Sequence, residues 1–317
     1  MYFPYLRGKQ YELLALKELS PLLGEHNKIL PIIEPVRKPN GSGMDRCFKA
    51  LSDAGLDFVL VVNPIVGDLR SPLISPVMSE YVRENQESTT WNLGLLLHEN
   101  TDVRKLISDY RDKFGSDRRL TLIFKGLTDN LNILSAETQD LNRQFIVIDQ
   151  HLRQRYFRKH FSPFQGVTLR DGFSAEERNS DYLPREESMF SDDHLFYAEE
   201  GWYGFSDYLT IGDSFSDGGF TPRAVAIHWT YEPAPDAPIM IRHFTSESNG
   251  DTSNVGGKFL EAASKLVQFL NANNIHTRAS NIMRMHVEND TYPGLGIVKK
   301  LSIQNHLELV SGILSRQ

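Results

Sequence analysis

Only one cysteine, Cys47, occurs in the 317 residues, which excludes an internal disulfide and any multi-cysteine zinc site. It follows Asp45 in a predicted helix and has no activating neighbour in sequence, so packing is favoured over a catalytic thiol. No stretch approaches the roughly 18 consecutive apolar residues of a membrane helix. A basic segment followed by an apolar core and a small-residue cleavage site is also missing, so nothing points to export and the expected compartment is the cytoplasm. The first apolar run leads into "LRGKQYE", which lacks three spaced glycines, and a Rossmann dinucleotide site is therefore not expected. Positive charge is in deficit, 34 Lys and Arg against 41 Asp and Glu for a net charge of −7. Strong non-specific nucleic-acid binding is not expected from such a chain, although local patches remain open. Internal repeats and low-complexity linkers are absent too, so residues 1–317 read as one domain.

What is present is the composition of a globular protein, 40% hydrophobic and 24% charged, with one pattern recurring along it. A short apolar run ends in a polar residue and hands over to a segment with helical spacing. The runs are Tyr2 to Leu6, "ILPIIEPV", "FVLVVNP", "WNLGLLLHEN", "LTLIFKG", "FIVIDQH", "GVTLRDG" and, after an irregular acidic segment, "SDYLTIGD". Runs without alternation are those of strands buried on both faces, and strands alternating with helices imply a parallel sheet. Eight of them select a closed barrel, so the predicted fold is an α/β, TIM-like (β/α)8 barrel. Insertions are expected at about 172–206 and 214–250. Within the second, "AVAIHWTYE" and "IMIRHFTSE" read as an extra hairpin across the proline-rich "PAPDAP", with His228 and His243 as a cross-strand pair that favours packing over a ligand role. "VGGKFLEAASKLVQFLNAN" is an amphipathic helix with Phe259, Ala262, Ala263, Leu266, Phe269 and Leu270 on one side, and a last helix closes the chain.

In such a barrel the polar residues that end the strands gather at the C-terminal mouth, where the βα loops place active sites. The set is Arg7, Glu34, Asn63, His98, Lys125, Asp149, Arg170 and Asp213, with Glu99, His151 and Asp171 on the same rim. Arg7, Lys125 and Arg170 are the candidate anion-binding groups, since a guanidinium can grip a phosphate or carboxylate bidentately. Glu34 and Asp149 are the candidate catalytic carboxylates. For Glu34, a general base and an ion-pair partner of Arg7 are equally open; for Arg7 the alternative to a ligand is a pair with Glu12 or Glu34 that locks the barrel. Asp149 with His151 could hold a divalent metal ion, against which stands a simple cap on the next helix. Asn63, His98, Asp171 and Asp213 complete the mouth. Turn-forming residues also follow strands in barrels without activity, so any single residue is as well explained by structure.

The stretches "YFPYLRGKQYELLALKEL", "ILPIIEPVRK" and "FVLVVNP" resemble the openings of the bacterial and phage "beta protein" family. That resemblance implies a barrel-like α/β fold and a neighbouring gene for a nuclease-like protein in a mobile or defence-associated setting. It implies no catalytic residue. A weaker likeness is to glycerophosphodiester phosphodiesterase barrels, whose first strand ends in His-Arg-Gly; here Leu6 stands in the histidine position, leaving a hint of phosphate affinity only.

Two functions are therefore expected to compete. One is a barrel protein of an anti-phage gene pair that acts with a nuclease-like partner, docked by the acidic and aromatic insertion. The other is an enzyme acting on a phosphorylated or carboxylated small molecule, such as a nucleotide-derived one, at the barrel mouth.

Overall fold

Strands that are apolar on both faces bury themselves only if helices cover one side and a packed interior fills the other. The computed structural model, which describes residues 1–39, 43–85, 91–126, 130–218 and 221–317, shows that arrangement. Its first seven strands are β1 (Tyr5–Leu6), β2 (Ile32–Ile33), β3 (Phe58–Val61), β4 (Trp91–Leu97), β5 (Leu120–Phe124), β6 (Arg143–Asp149) and β7 (Gly166–Arg170). Next in the chain is β8 (Glu187–Ser191), which belongs to another sheet, so that β9 (Gly204–Asp207) is the eighth barrel strand. All neighbours in the order β1 to β7 and then β9 are parallel.

The ring is drawn together by the segment ahead of β1. Tyr2 bridges Ile29 on one side and Phe205 on the other. Phe3 N–H donates to Phe205 O at 2.8 Å, and Phe205 N–H to Met1 O at 3.1 Å. Gly204 makes this approach possible, because a Cβ there would lie 2.5 Å from Met1 O and 2.6 Å from the Phe3 ring. The fold is thus a TIM-like α/β barrel. Phe58 through Val62 and Ile146 through Ile148 are all at most 1% exposed, as interior parallel strands require. Helices α1 (Gln10–Gly24), α2 (Gly43–Asp53), α3 (Pro76–Glu84), α4 (Val103–Phe114), α5 (Leu131–Glu137) and α6 (Gln154–His160) alternate with the strands. Cys47 is buried on α2 and unbonded.

Two readings of the sequence need correction. "SDYLTIGD" is not the eighth strand along its length: β9 begins earlier and ends at Asp207, after which Leu209 takes a left-handed φ of +51° and the chain turns. The acidic segment is not irregular throughout. It contains a 3-10 turn at Asn179–Tyr182, strand β8 and the short helix α7 (Asp193–Phe196), and it buries Tyr182 and Phe190. Residues 219 and 220 of the predicted second insertion lie outside the described residues.

The chain divides into two compact units. The barrel unit is Met1–Leu13, Ser20–Arg170 and Phe196–Asp207; the other comprises Leu14–Leu19, Asp171–Leu195 and Tyr208–Gln317. The second unit contains a three-stranded sheet in the order β10 (Ala226–Tyr231), β11 (Ile239–Thr245), β8. The predicted hairpin is present, and its antiparallel register sets His228 opposite His243. Helices α8 (Val255–Ala272), α9 (Arg278–Glu288) and α10 (Leu295–Arg316) cover one face of that sheet, packing Phe259 and Leu266 of α8 with Ile227, Trp229 and Phe244. Among the described residues no helix is long and apolar enough to cross a membrane.

Candidate functional site

A closed parallel sheet places every strand's C-terminal end at the same mouth, and the sequence-predicted residues are found there with unequal roles. The best-defined pair is Arg7 and Glu34. Glu34 N–H donates to Leu6 O at 2.8 Å, which fixes the two strand ends side by side. The Arg7 guanidinium then bonds the Glu34 carboxylate. The same carboxylate accepts the Tyr5 hydroxyl at 2.9 Å and the Ile65 amide at 2.9 Å. Glu34 is fully buried and Arg7 is 7% exposed. Gly8 permits the crossing with φ +63°, where a Cβ would lie 3.3 Å from Pro35 Cα. Glu12, the other predicted partner of Arg7, takes its backbone amide instead, at 2.7 Å. A carboxylate sealed from solvent with three donors on it has little capacity left for a substrate proton.

Across the ring, Lys125 follows β5 and Asp149 ends β6. Lys125 Nζ lies 3.4 Å from Asp149 Oδ2, and Oδ1 accepts the His151 amide at 3.0 Å. Asp149 thereby closes a turn that begins with Leu152 N–H on its own carbonyl, whereas helix α6 starts only at Gln154. The His151 side chain is exposed. Among the described residues no group of three or more His, Cys, Asp and Glu is placed to hold a metal ion. Unlike Glu34, this pair reaches solvent, with side chains 10% and 15% exposed.

Asn63 is a clamp. Its amide donates to Leu96 O at 2.9 Å and accepts Leu96 N–H at 2.8 Å, so both ends are spent on the β4 backbone. His98 shapes the turn after β4, its amide on Thr101 Oγ1 at 2.9 Å and its Nδ1 accepting from Asn100 at 3.3 Å. Arg170 stands in register with Asp207 at the ends of β7 and β9. Asp207 accepts the Tyr2 hydroxyl at 2.7 Å. Burial, followed by the Asp207 charge and hydrogen bond, pushes the Tyr2 phenol well above its usual range. Asp207 therefore takes the strand-end place that the sequence reading assigned to Asp213.

Asp171 and Asp213 belong to the second unit. Asp171 accepts the amides of Phe173 at 3.0 Å and Asp213 at 2.9 Å, stapling the turn in which Gly212 has φ +77°. The same unit carries the histidine pair: His228 Nδ1 and His243 Nδ1 are 2.8 Å apart, with Phe173 and Tyr182 packed edge-on or tilted against both rings. Burial is the main reason that His228 is held down to about 3 and His243 to about 4; the positive charge of Arg185 adds to it for His243. At neutral pH both rings are uncharged, and one donates to the other.

Tyr2, Tyr5 and Asp207 were not singled out from sequence. The two tyrosines read as strand residues, which they are, and only the closed ring turns their hydroxyls onto carboxylates 29 and 205 residues away. The motif "YGFSD" held the one available signal, a glycine before a polar strand end. The class that this geometry defines is an eight-stranded parallel α/β barrel with charged side chains at its C-terminal mouth. No family model, curated protein or solved structure matches the chain.

Proposed function

We propose that this chain is the barrel member of a two-protein module, mobile or defence-associated, and acts through a nuclease-like partner encoded beside it. The observation that carries a docking role over a catalytic one is the state of Glu34: sealed from solvent and holding Arg7, Tyr5 and the Ile65 amide, it locks two strands together. Asn63, likewise spent on Leu96, supports the same reading. The nuclease-like character of the partner rests on the resemblance of the three opening stretches. A docking surface is supplied by the acidic segment, which leaves Met189 55% and Leu183 44% exposed beside Glu186 and Glu187. Apolar side chains ringed by charge are characteristic of interaction surfaces. The test is co-expression with the neighbouring gene product followed by size exclusion with light scattering. One complex is expected, weakened at least tenfold by Met189→Glu with no change in melting temperature; separate elution of the two wild-type proteins overturns the proposal.

A second reading, an enzyme acting on a phosphorylated or carboxylated small molecule, is favoured by the solvent-reaching Lys125 and Asp149 pair, with Arg170 at the end of the next strand. Its test is turnover of phosphate monoesters or nucleotides that is lost in Asp149→Asn and retained in Met189→Glu.

A further inference from the structure

Strand β11 is longer than its neighbour. It pairs with β10 along its length, but its pairing with β8 runs only from Ile239 to Arg242, with one more bond from His243 N–H to Glu186 O at 2.7 Å. Continuing that register would set Pro184 against Thr245, and proline has no N–H to offer. The chain turns away there, Arg185 N–H bonding Tyr182 O at 3.1 Å. Because Ser246 N–H faces β10, bonding Val225 O at 2.9 Å, the ladder's alternation points the Thr245 amide to the other, unpaired side.

A cleft of about 370 Å3 lies along this free edge, entirely within the second unit, at the small end of the range for ligand sites. His243, Thr245, Arg242 and Lys265 line it, with Phe244 and Phe269 among its apolar surfaces. The Thr245 hydroxyl is buried and has no hydrogen-bond partner, in a residue only 3% exposed. Such an orphaned group normally costs stability unless something pairs with it. His243 uses Nδ1 on His228, and its Nε2 has no partner among the described residues. Held neutral at physiological pH, that nitrogen donates or accepts according to which way the His228–His243 bond runs. Lys265 Nζ is 2.9 Å from Thr245 O and 3.0 Å from Glu247, and Arg242 holds Glu186 and Glu187 at 3.3 and 3.4 Å. Glu186 and Glu247 are 63% and 75% exposed, so a ligand anion would displace solvent-screened pairs of small worth.

Donors converge here on one side and aromatic carbon on the other. We propose that this cleft binds a small organic oxyanion, a carboxylate or phosphate monoester carried on an apolar, ring-sized body. The anion meets Lys265, the Thr245 hydroxyl and amide and His243 Nε2, and the body lies against Phe244 and Phe269. Binding here requires no partner protein.

The full-length protein is titrated with phenyl phosphate and, separately, with benzoate, and the imidazole resonances of His243 are followed by nitrogen-edited NMR. A saturable change at His243 is expected with at least one of the two probes, and the better probe identifies the anion. Thr245→Val, which removes the orphaned hydroxyl without changing side-chain shape, and Lys265→Met should each weaken binding about tenfold, equivalent to about 1.4 kcal/mol. Lys265→Arg should restore it. Since Thr245→Val discards an unsatisfied polar atom, its melting temperature should not fall, so lost binding would not reflect unfolding. No saturable change with either probe, or affinity unchanged in both weakening variants, overturns the site. Equal affinity for inorganic phosphate overturns the apolar body.

Discussion

The Arg7 guanidinium and the Glu34 carboxylate meet in the barrel interior, joining the ends of its first two strands, and Tyr5 from the first of these strands donates to the same carboxylate. Removing either charge leaves the other buried and unpaired, which typically costs about 3 to 5 kcal/mol. Arg7→Ala and Glu34→Ala should each lower the urea midpoint accordingly, and the double variant should lose less than the sum. Strict additivity in that cycle would mean that the two residues are not energetically coupled.

Asn63 offers a sharper test of local structure. Its two ends satisfy both backbone groups of Leu96, so Asn63→Ala leaves a buried donor and a buried acceptor bare, at about 1 to 3 kcal/mol each. Asn63→Asp should also be destabilising near neutral pH, because a carboxylate oxygen would face Leu96 O where an N–H now donates. Thermal denaturation checks both. An Asp variant as stable as the wild type would show that the clamp contributes nothing.

The histidine pair predicts a pH dependence with a definite sign. In the unfolded chain these imidazoles protonate near their ordinary 6.5, whereas in the folded protein they do so only near 3 and 4. The folded state thus binds fewer protons between those limits. The pair's contribution is complete above about pH 6.5 and is lost progressively as pH falls toward 3 to 4. For each imidazole the loss is about 1.4 kcal/mol per pH unit across that interval. Comparing urea unfolding of the wild type with a His228→Gln, His243→Gln double variant between pH 6.5 and 5 separates this loss from that of carboxylates, which titrate lower, and of other histidines common to both. A parallel pH dependence in the two proteins would contradict it.

The barrel was legible because its strands are apolar on every residue, a pattern that only doubly covered parallel strands need, and each ends in a polar residue. The position of the eighth strand was not, since "SDYLTIGD" alternates like a strand although Leu209 turns left-handed within it. Strand β8 was hidden for a different reason. As an edge strand it keeps Glu187 and Met189 exposed and buries Phe190 and Ser191, so its residues resemble those of a solvated loop. The Arg7–Glu34 pair could be read from sequence because both residues interrupt apolar runs. Asn63 was placed correctly at a strand end, but an amide bound to a neighbouring strand's backbone looks the same in sequence as one facing a ligand. For the acidic segment the lesson is practical: deleting residues 180–192 would remove β8 and Tyr182, so point substitutions at Met189 and Leu183 are the cleaner probes of a partner surface.

The contacts that complete the ring also impose an order in time. Tyr2 meets Asp207 across 205 residues of chain, and ribosomes add about 5 to 20 residues each second. The opening strand must therefore wait roughly 10 to 40 seconds for its second neighbour to be synthesised at that rate. During that interval the nascent barrel is an open sheet with unsatisfied backbone groups along both edges, including the one Phe3 will later offer to Phe205. This protein is accordingly most exposed to misassociation and to chaperone capture while it is being made, and the last barrel strand ends that exposure on release from the ribosome.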